Sequence, residues 1–237
     1  MMNKQSGSVA KSFLKKETLL LGLITFLIYG SVYFYERGVA YALHIPFDFI
    51  IINITTISDD FISFYLYLFP LLTASSALLL WSGRHQGKKA IAHFLICGFY
   101  VLLSWLVMSK NINDVMFSIF NSGIVLYLLH KWFPFKNEEA ASQSQSPIRY
   151  FGENLIDVAA FLFVFANTFV GLGRGSVVND EYTTFLKDGN EYAIVKVYDE
   201  NMFVWKVKNE MILRELTYFK LDDVSKEVFT RKILKSK

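Results

Sequence analysis

Cysteine, charge and catalytic motifs are all scarce in this chain. A single cysteine, Cys97, stands among 237 residues, so no intramolecular disulfide and no CxxC redox or zinc-ribbon chemistry can exist within one copy. Charged residues make up 19%, below the roughly 25% of soluble domains. The net charge of +3 is too small to argue nucleic-acid binding, because the basic residues are spread along the chain rather than gathered into one patch. The histidines, at 44, 85, 93 and 130, show no HExxH or i, i+4 pairing, and no paired aspartates suited to intramembrane proteolysis occur. Gly171-Leu172-Gly173-Arg174-Gly175 resembles a glycine-rich phosphate loop only on paper. A dinucleotide fingerprint follows a strand and opens a helix, whereas this one ends an apolar run and reads as helix termination with a hinge. No catalytic residue, cofactor or metal site is expected.

What the chain has is apolar length. Hydrophobic residues reach 53% and mean hydropathy is +0.33, which excludes disorder and collagen-like chains. The apolar residues fall in runs close to the roughly 20 residues that cross a hydrocarbon core of about 30 Å. Five such runs predict five transmembrane helices: Thr18–Tyr35, Phe61–Ser82, Ala90–Met108, Val115–Phe133 and Leu155–Gly173. Tyr33, Tyr35, Trp81, Trp132 and Tyr150 stand at their ends as an aromatic belt. The basic tail 1–17 and Ala40-Tyr41-Ala42 imitate a secretory signal and its cleavage site. The apolar run is too long and too aromatic for that, so it reads as a retained span.

Lys and Arg near span ends resist translocation. Ten lie on the N-terminal side (Lys4, Lys11, Lys15, Lys16, Arg84, Lys88, Lys89, Lys131, Lys136, Arg149) against three on the other (Arg37, Lys110, Arg174). A cytoplasmic N-terminus in the plasma (inner) membrane follows, with the C-terminal tail extracytoplasmic. Within the bundle 18–175, residues 36–60 predict a helix lying in the interface, opened by Pro46 and turning inward at Asp59-Asp60. Asn53-Ile54-Thr55 matches a glycosylation sequon, a pattern common by chance. Residues 136–150 read as a flexible linker.

From about Val178 the hydrophobic period changes from 3.6 to 2. Tyr192, Ile194, Lys196 and Tyr198 alternate with Ala193, Val195 and Val197, and Phe203, Trp205 and Val207 alternate with Met202, Val204 and Lys206. Asp188-Gly189 and Asp199-Glu200-Asn201 supply hairpin turns. Four or five strands over 178–237 predict a small SH3-like or OB-like β barrel. Its eleven basic and eleven acidic residues give no basic groove for single-stranded nucleic acid. Trp205 and Tyr218 are its candidate partner-binding aromatics.

Each span carries a stripe of small or weakly polar residues suited to helix packing in lipid: Thr18, Gly22, Thr25, Tyr29 and Tyr33 on the first; Pro70, Ala74 and Ala77 on the second; His93, Cys97, Tyr100 and Ser104 on the third; Ser118, Asn121 and Ser122 on the fourth; Asp157, Ala160, Val164, Thr168, Gly171 and Gly175 on the fifth. His93 and Asp157 are the two ionisable groups on these stripes at matching depth, and they predict an intramembrane polar pair. The functional expectation is a non-enzymatic multi-pass membrane sensor, scaffold or accessory subunit. Its partners are the lipid bilayer, further copies of itself as a homo-oligomer, and a protein at the β domain. The alternative is an oligomeric pore, and a lipid-modifying enzyme using Asp59 and Asp60 is a third class.

Overall fold

The apolar runs fold as helices because nothing interrupts them except Pro70, which the second helix carries in its interior. The computed structural model describes residues 6–84, 88–108, 112–133, 147–177 and 181–236. The helices are α1 (Ser6–Leu43), α2 (Ile54–Arg84), α3 (Lys89–Val107), α4 (Ile112–Trp132) and α5 (Pro147–Ser176). Three of them are long and apolar enough to cross a membrane, over Ile54–Gly83, Lys89–Val107 and Leu155–Ser176. The expected linker falls mostly on residues 134–146, outside the described residues, but its last residues belong to α5, which Pro147 opens at the position where a missing N–H costs nothing.

The helices alternate in direction. Tyr67 in the middle of α2 bonds Ser104 near the end of α3 at 3.2 Å. Cys97 reaches the Ser122 carbonyl of α4 at 3.4 Å. The antiparallel α4 and α5 are clamped at both ends by ion pairs, Lys131–Asp157 and Arg174–Asp114, each at 2.8 Å. α5 returns parallel to α1, with Gly30 beside Phe165 and Gly38 against the Val170 backbone. The glycines expected to form a hinge are instead inside α5. A Cβ on Gly173 would collide with the Tyr35 carbonyl and one on Gly175 with the Val107 carbonyl, so they let backbones touch, as small residues do between membrane helices.

α1 is longer than expected. Its 38 residues extend about 57 Å at 1.5 Å each, past any hydrocarbon core, and it runs on through Glu36 to Leu43. It stops there because His44 takes a left-handed φ of 62°. The His44 N–H bonds the Tyr41 carbonyl and the Ile45 N–H the Ala40 carbonyl at 2.9 Å, a Schellman closure followed by Pro46. The interfacial helix expected over 46–57 is therefore absent: a single 3-10 turn at Phe47–Phe49 leads to α2. Asn53 caps α2 by accepting the Thr56 N–H at 2.8 Å, which draws Ile54–Asp60 into the helix and spends the sequon asparagine on a cap.

Strands β1 (Glu181–Lys187), β2 (Asn190–Tyr198), β3 (Asn201–Lys208), β4 (Met211–Lys220), β5 (Thr230–Ile233) and β6 (Lys235–Ser236) follow. Asp188 and Gly189 both take positive φ, 50° and 77°, the twist a two-residue hairpin requires. The sheet runs β5-β1-β2-β3-β4-β6. It is open, which corrects the closed barrel expected: β5 pairs with β1 at one edge and β6, one residue further on, with β4 at the other, and the two edge strands are not paired with each other. One face, with Tyr182, Ala193, Phe203, Trp205 and Ile212, shares a core with Val32, Tyr35, Leu43, Phe64 and Leu172 of the helices. The other encloses Phe185, Met202, Val204 and Val224.

The alternation in β2 is broken once. Ile194 pairs with Val204 and Lys196 with Phe203, leaving Val195 as a bulge. The expected grouping of Tyr192, Ile194, Lys196 and Tyr198 on one face is thereby split. Tyr192 and Ile194 face away, while Lys196 and Tyr198 turn toward the helices, because a bulge shifts the parity of every later residue.

Candidate functional site

Four residues meet where the sheet seats on the bundle, of which the sequence singles out only Asp60, as one of the carboxylates of the lipid-modifying alternative. Glu36 of α1 is completely buried and lies on the i, i+4, i+7, i+11 stripe Val32, Glu36, Val39, Leu43, whose other members are core. Lys196 Nζ donates to its Oε1 at 2.5 Å, and the Tyr198 hydroxyl donates to its Oε2. Asp60, in the second turn of α2, is hydrogen-bonded to the same carboxyl group. Burial and the neighbouring Glu36 carboxylate raise the Tyr198 phenol far above its ordinary value. The phenol therefore stays a donor at any physiological pH.

Beside this cluster lies a cavity of about 430 Å³, lined by Asp59, Asp60 and Ser63 of α2, Tyr35 of α1, Ser176 of α5 and, across the junction, Glu181, Tyr182, Lys196 and Trp205 of the sheet. Tyr35 bonds Ser63 and Ser176, closing its inner wall. Asp60 is 5% exposed, and its Oδ2 has no hydrogen-bond partner among the described residues. Among the described residues no group of three His, Cys, Asp or Glu is arranged to hold a metal ion.

The expected site residues are distributed differently. His93 is fully buried on α3. Asp157 is buried as well, and it is engaged by Lys131 at 2.8 Å and by the Tyr127 hydroxyl at 3.3 Å. Trp205 is 5% exposed and Tyr218 56%, so only Tyr218 faces outward. Its ring lies tilted against Phe49 and Phe203, joining the α1–α2 connection to the sheet. The polar stripes of α3 and α5 meet inside the bundle, where Tyr100 bonds Thr168 at 2.8 Å and accepts from Asn121 at 3.5 Å. The α1 stripe does not: Gly22, Thr25, Tyr29 and Tyr33 are exposed, and the packing face is the one carrying Val32 and Glu36.

The molecule is thus a membrane-type helical bundle capped at one end by an open sheet, with a buried polar cluster and a cavity at the seam. No protein-family model, curated protein or solved structure matches the chain.

Proposed function

We propose that this is a non-enzymatic, multi-pass membrane sensor in which the state of the C-terminal sheet is transmitted to the helices through Glu36. The observation that carries this reading is the buried three-way contact of Glu36 with Lys196 and Tyr198, which ties α1 to β2 across 160 residues of sequence. A scaffold needs only an attached domain. A carboxyl group buried in the seam and bonded to two strand side chains makes attachment depend on local charge and occupancy, which is what a sensor uses. All five helices are taken to cross the plasma membrane with the N-terminus cytoplasmic, and exposed Tyr218 is offered to a protein partner. The pore alternative would have to use the exposed α1 stripe of Gly22, Thr25, Tyr29 and Tyr33, because the α3 and α5 stripes are spent on contacts within one copy.

Hydrogen exchange of the full-length protein in detergent, comparing wild type with Glu36→Gln, tests the coupling. Protection should fall in α1 from Tyr35 to Leu43 and in β2 and β3 together. Loss confined to α1 would leave a passive anchor, and a ring-shaped homo-oligomer in native mass spectrometry would return the pore.

A further inference from the structure

A second cavity, of about 340 Å³, lies between α2, α3, α4 and α5 and runs from the middle of the bundle toward the end away from the sheet. Its floor is the buried set Ile96, Tyr100, Leu128, Val164, Thr168 and Phe169. Its rim is exposed: Leu72 of α2 at 61%, Trp132 of α4 at 52% and Phe161 of α5 at 37%. From Phe161 to Phe169 the cavity follows α5 for about 12 Å at 1.5 Å per residue. Spread over that length, its volume is a slot about 6 Å wide, too narrow for a second helix of about 10 Å.

The lining decides what fits. Hydroxyls occur only at Tyr100, Thr168 and the half-buried Ser75, and the two at the floor are committed to the protein. Thr168 spends its proton on the Val164 carbonyl at 2.7 Å. Tyr100 therefore donates to Thr168 at 2.8 Å, while accepting from Asn121. The floor has no proton to offer, so an occupant with a carbonyl or a charge at its inner end is disfavoured. Ordered water, which needs about two to four polar partners, is disfavoured for the same reason. The lining residues of α2, α3 and α5 all fall in the segments long and apolar enough to cross a membrane, so the rim opens at the depth of hydrocarbon. A hollow of this size forfeits packing along its whole lining unless something fills it, and the neighbouring solvent is made of chains. Trp132 closes α4 at the level where an aromatic side chain meets lipid headgroups.

We propose that this cavity takes one acyl chain of a bilayer phospholipid, with its methyl end at the Tyr100–Thr168 floor and its headgroup at the Trp132 rim. Seated there, the chain packs α2 against α4 and α5. The proposal rests on the apolar helices crossing a membrane and not on the sensor reading.

Photo-crosslinking tests it, using full-length protein in phosphatidylcholine vesicles doped with a phosphatidylcholine whose acyl chain ends in a diazirine. Adducts mapped by peptide mass spectrometry should appear on Leu128 and Val164, which at 5% and 9% exposure are out of reach of lipid that merely surrounds the bundle. Leu66, 76% exposed on α2, reports that surrounding lipid. Val125→Phe and Ser75→Phe narrow the cavity from α4 and α2, and each should cut the floor adducts about tenfold while leaving Leu66 adducts unchanged. If one variant does not fold, the other and the wild-type floor adducts still decide the matter. Adducts confined to exposed positions, floor adducts undiminished in the folded variants, or suppression of floor adducts by a sterol added to the vesicles overturns the proposal. Hydrogen exchange on Glu36→Gln reads the coupling of sheet and helices separately, so either idea can fail without the other.

Discussion

Tyr198 shows how one side chain at the seam makes stability depend on pH. Its folded phenol holds its proton more tightly than the unfolded value of 10.0, through burial first and the Glu36 charge second. A group whose value is raised on folding contributes fully below the unfolded value, and the contribution is lost as pH climbs above it. The Tyr198 contribution to thermal stability, read as the difference between wild type and Tyr198→Phe, should therefore be flat from neutrality to about pH 9 and fall beyond about pH 10. Tyr198→Phe should cost about 1.5–3 kcal/mol at neutral pH, as expected for a lost bond to a charged acceptor, and should fall less steeply in alkali. Equal alkaline slopes would show that another tyrosine sets the response. Glu36 itself was legible in principle, as an acidic residue on the core stripe of Val32, Val39 and Leu43. The Glu36-Arg37 pair instead reads as the end of a span, because Arg37 beside it does face outward, donating to Tyr33. The stripes on α3 and α5 were legible because their polar residues bond each other. The α1 stripe was misleading because tyrosines and small residues on outward-facing turns satisfy the same pattern.

Strand β2 carries its information in an interruption. Hairpin turns and alternation predict strands, yet period alone assigns Lys196 and Ile194 to one face, and only the bulge at Val195 separates them. Nothing in the composition of Ala-Ile-Val-Lys marks that position, since the bulge is set by the partners: Ala193 must lie opposite Trp205 while Lys196 lies opposite Phe203. A pair of deletions separates the two. Removing Val195 leaves an unbroken ladder in which Ala193, Lys196 and Tyr198 keep their faces, so it should cost no more than the partial burial of one valine, about 1.5 kcal/mol. Removing Val197 turns Tyr198 away from Glu36 and should add about 1.5–3 kcal/mol. Denaturant midpoints of the two full-length variants give the comparison, and a deletion of Val195 as damaging as that of Val197 would mean that the bulge is not what aims the pair. The same limit applies to the closing segment: five strands were legible, but whether the last ones close a barrel depends on where β6 lands, a two-residue parallel pairing with β4 that no local pattern encodes.

Across the whole molecule, the direction of each helix and the seat of the sheet bear on one question. The helices alternate, and the sheet shares its core with the end of α1, the start of α2 and the end of α5, so the three termini meet at a single end of the bundle. If α1 leaves the cytoplasm at its basic N-terminus, that end is extracytoplasmic. The two ion pairs place one cation at each end, Arg174–Asp114 at the sheet end and Lys131–Asp157 at the other, so the ten-to-three asymmetry of Lys and Arg rests on the remaining basic residues. On that topology α1, whose 38 residues exceed the length that crosses a hydrocarbon core, would carry Glu36 beyond the core to the level of the sheet. A reporter fused after Lys237 should accordingly be active only outside the cytoplasm, and one inserted between Ser142 and Ser146 only inside. Activity of both on the cytoplasmic side would mean that one helix does not cross, and the buried cluster would then sit at the cytoplasmic interface. Reversal of both would invert the whole bundle while leaving its internal contacts intact, and would show that the basic residues are held by something other than the positive-inside rule.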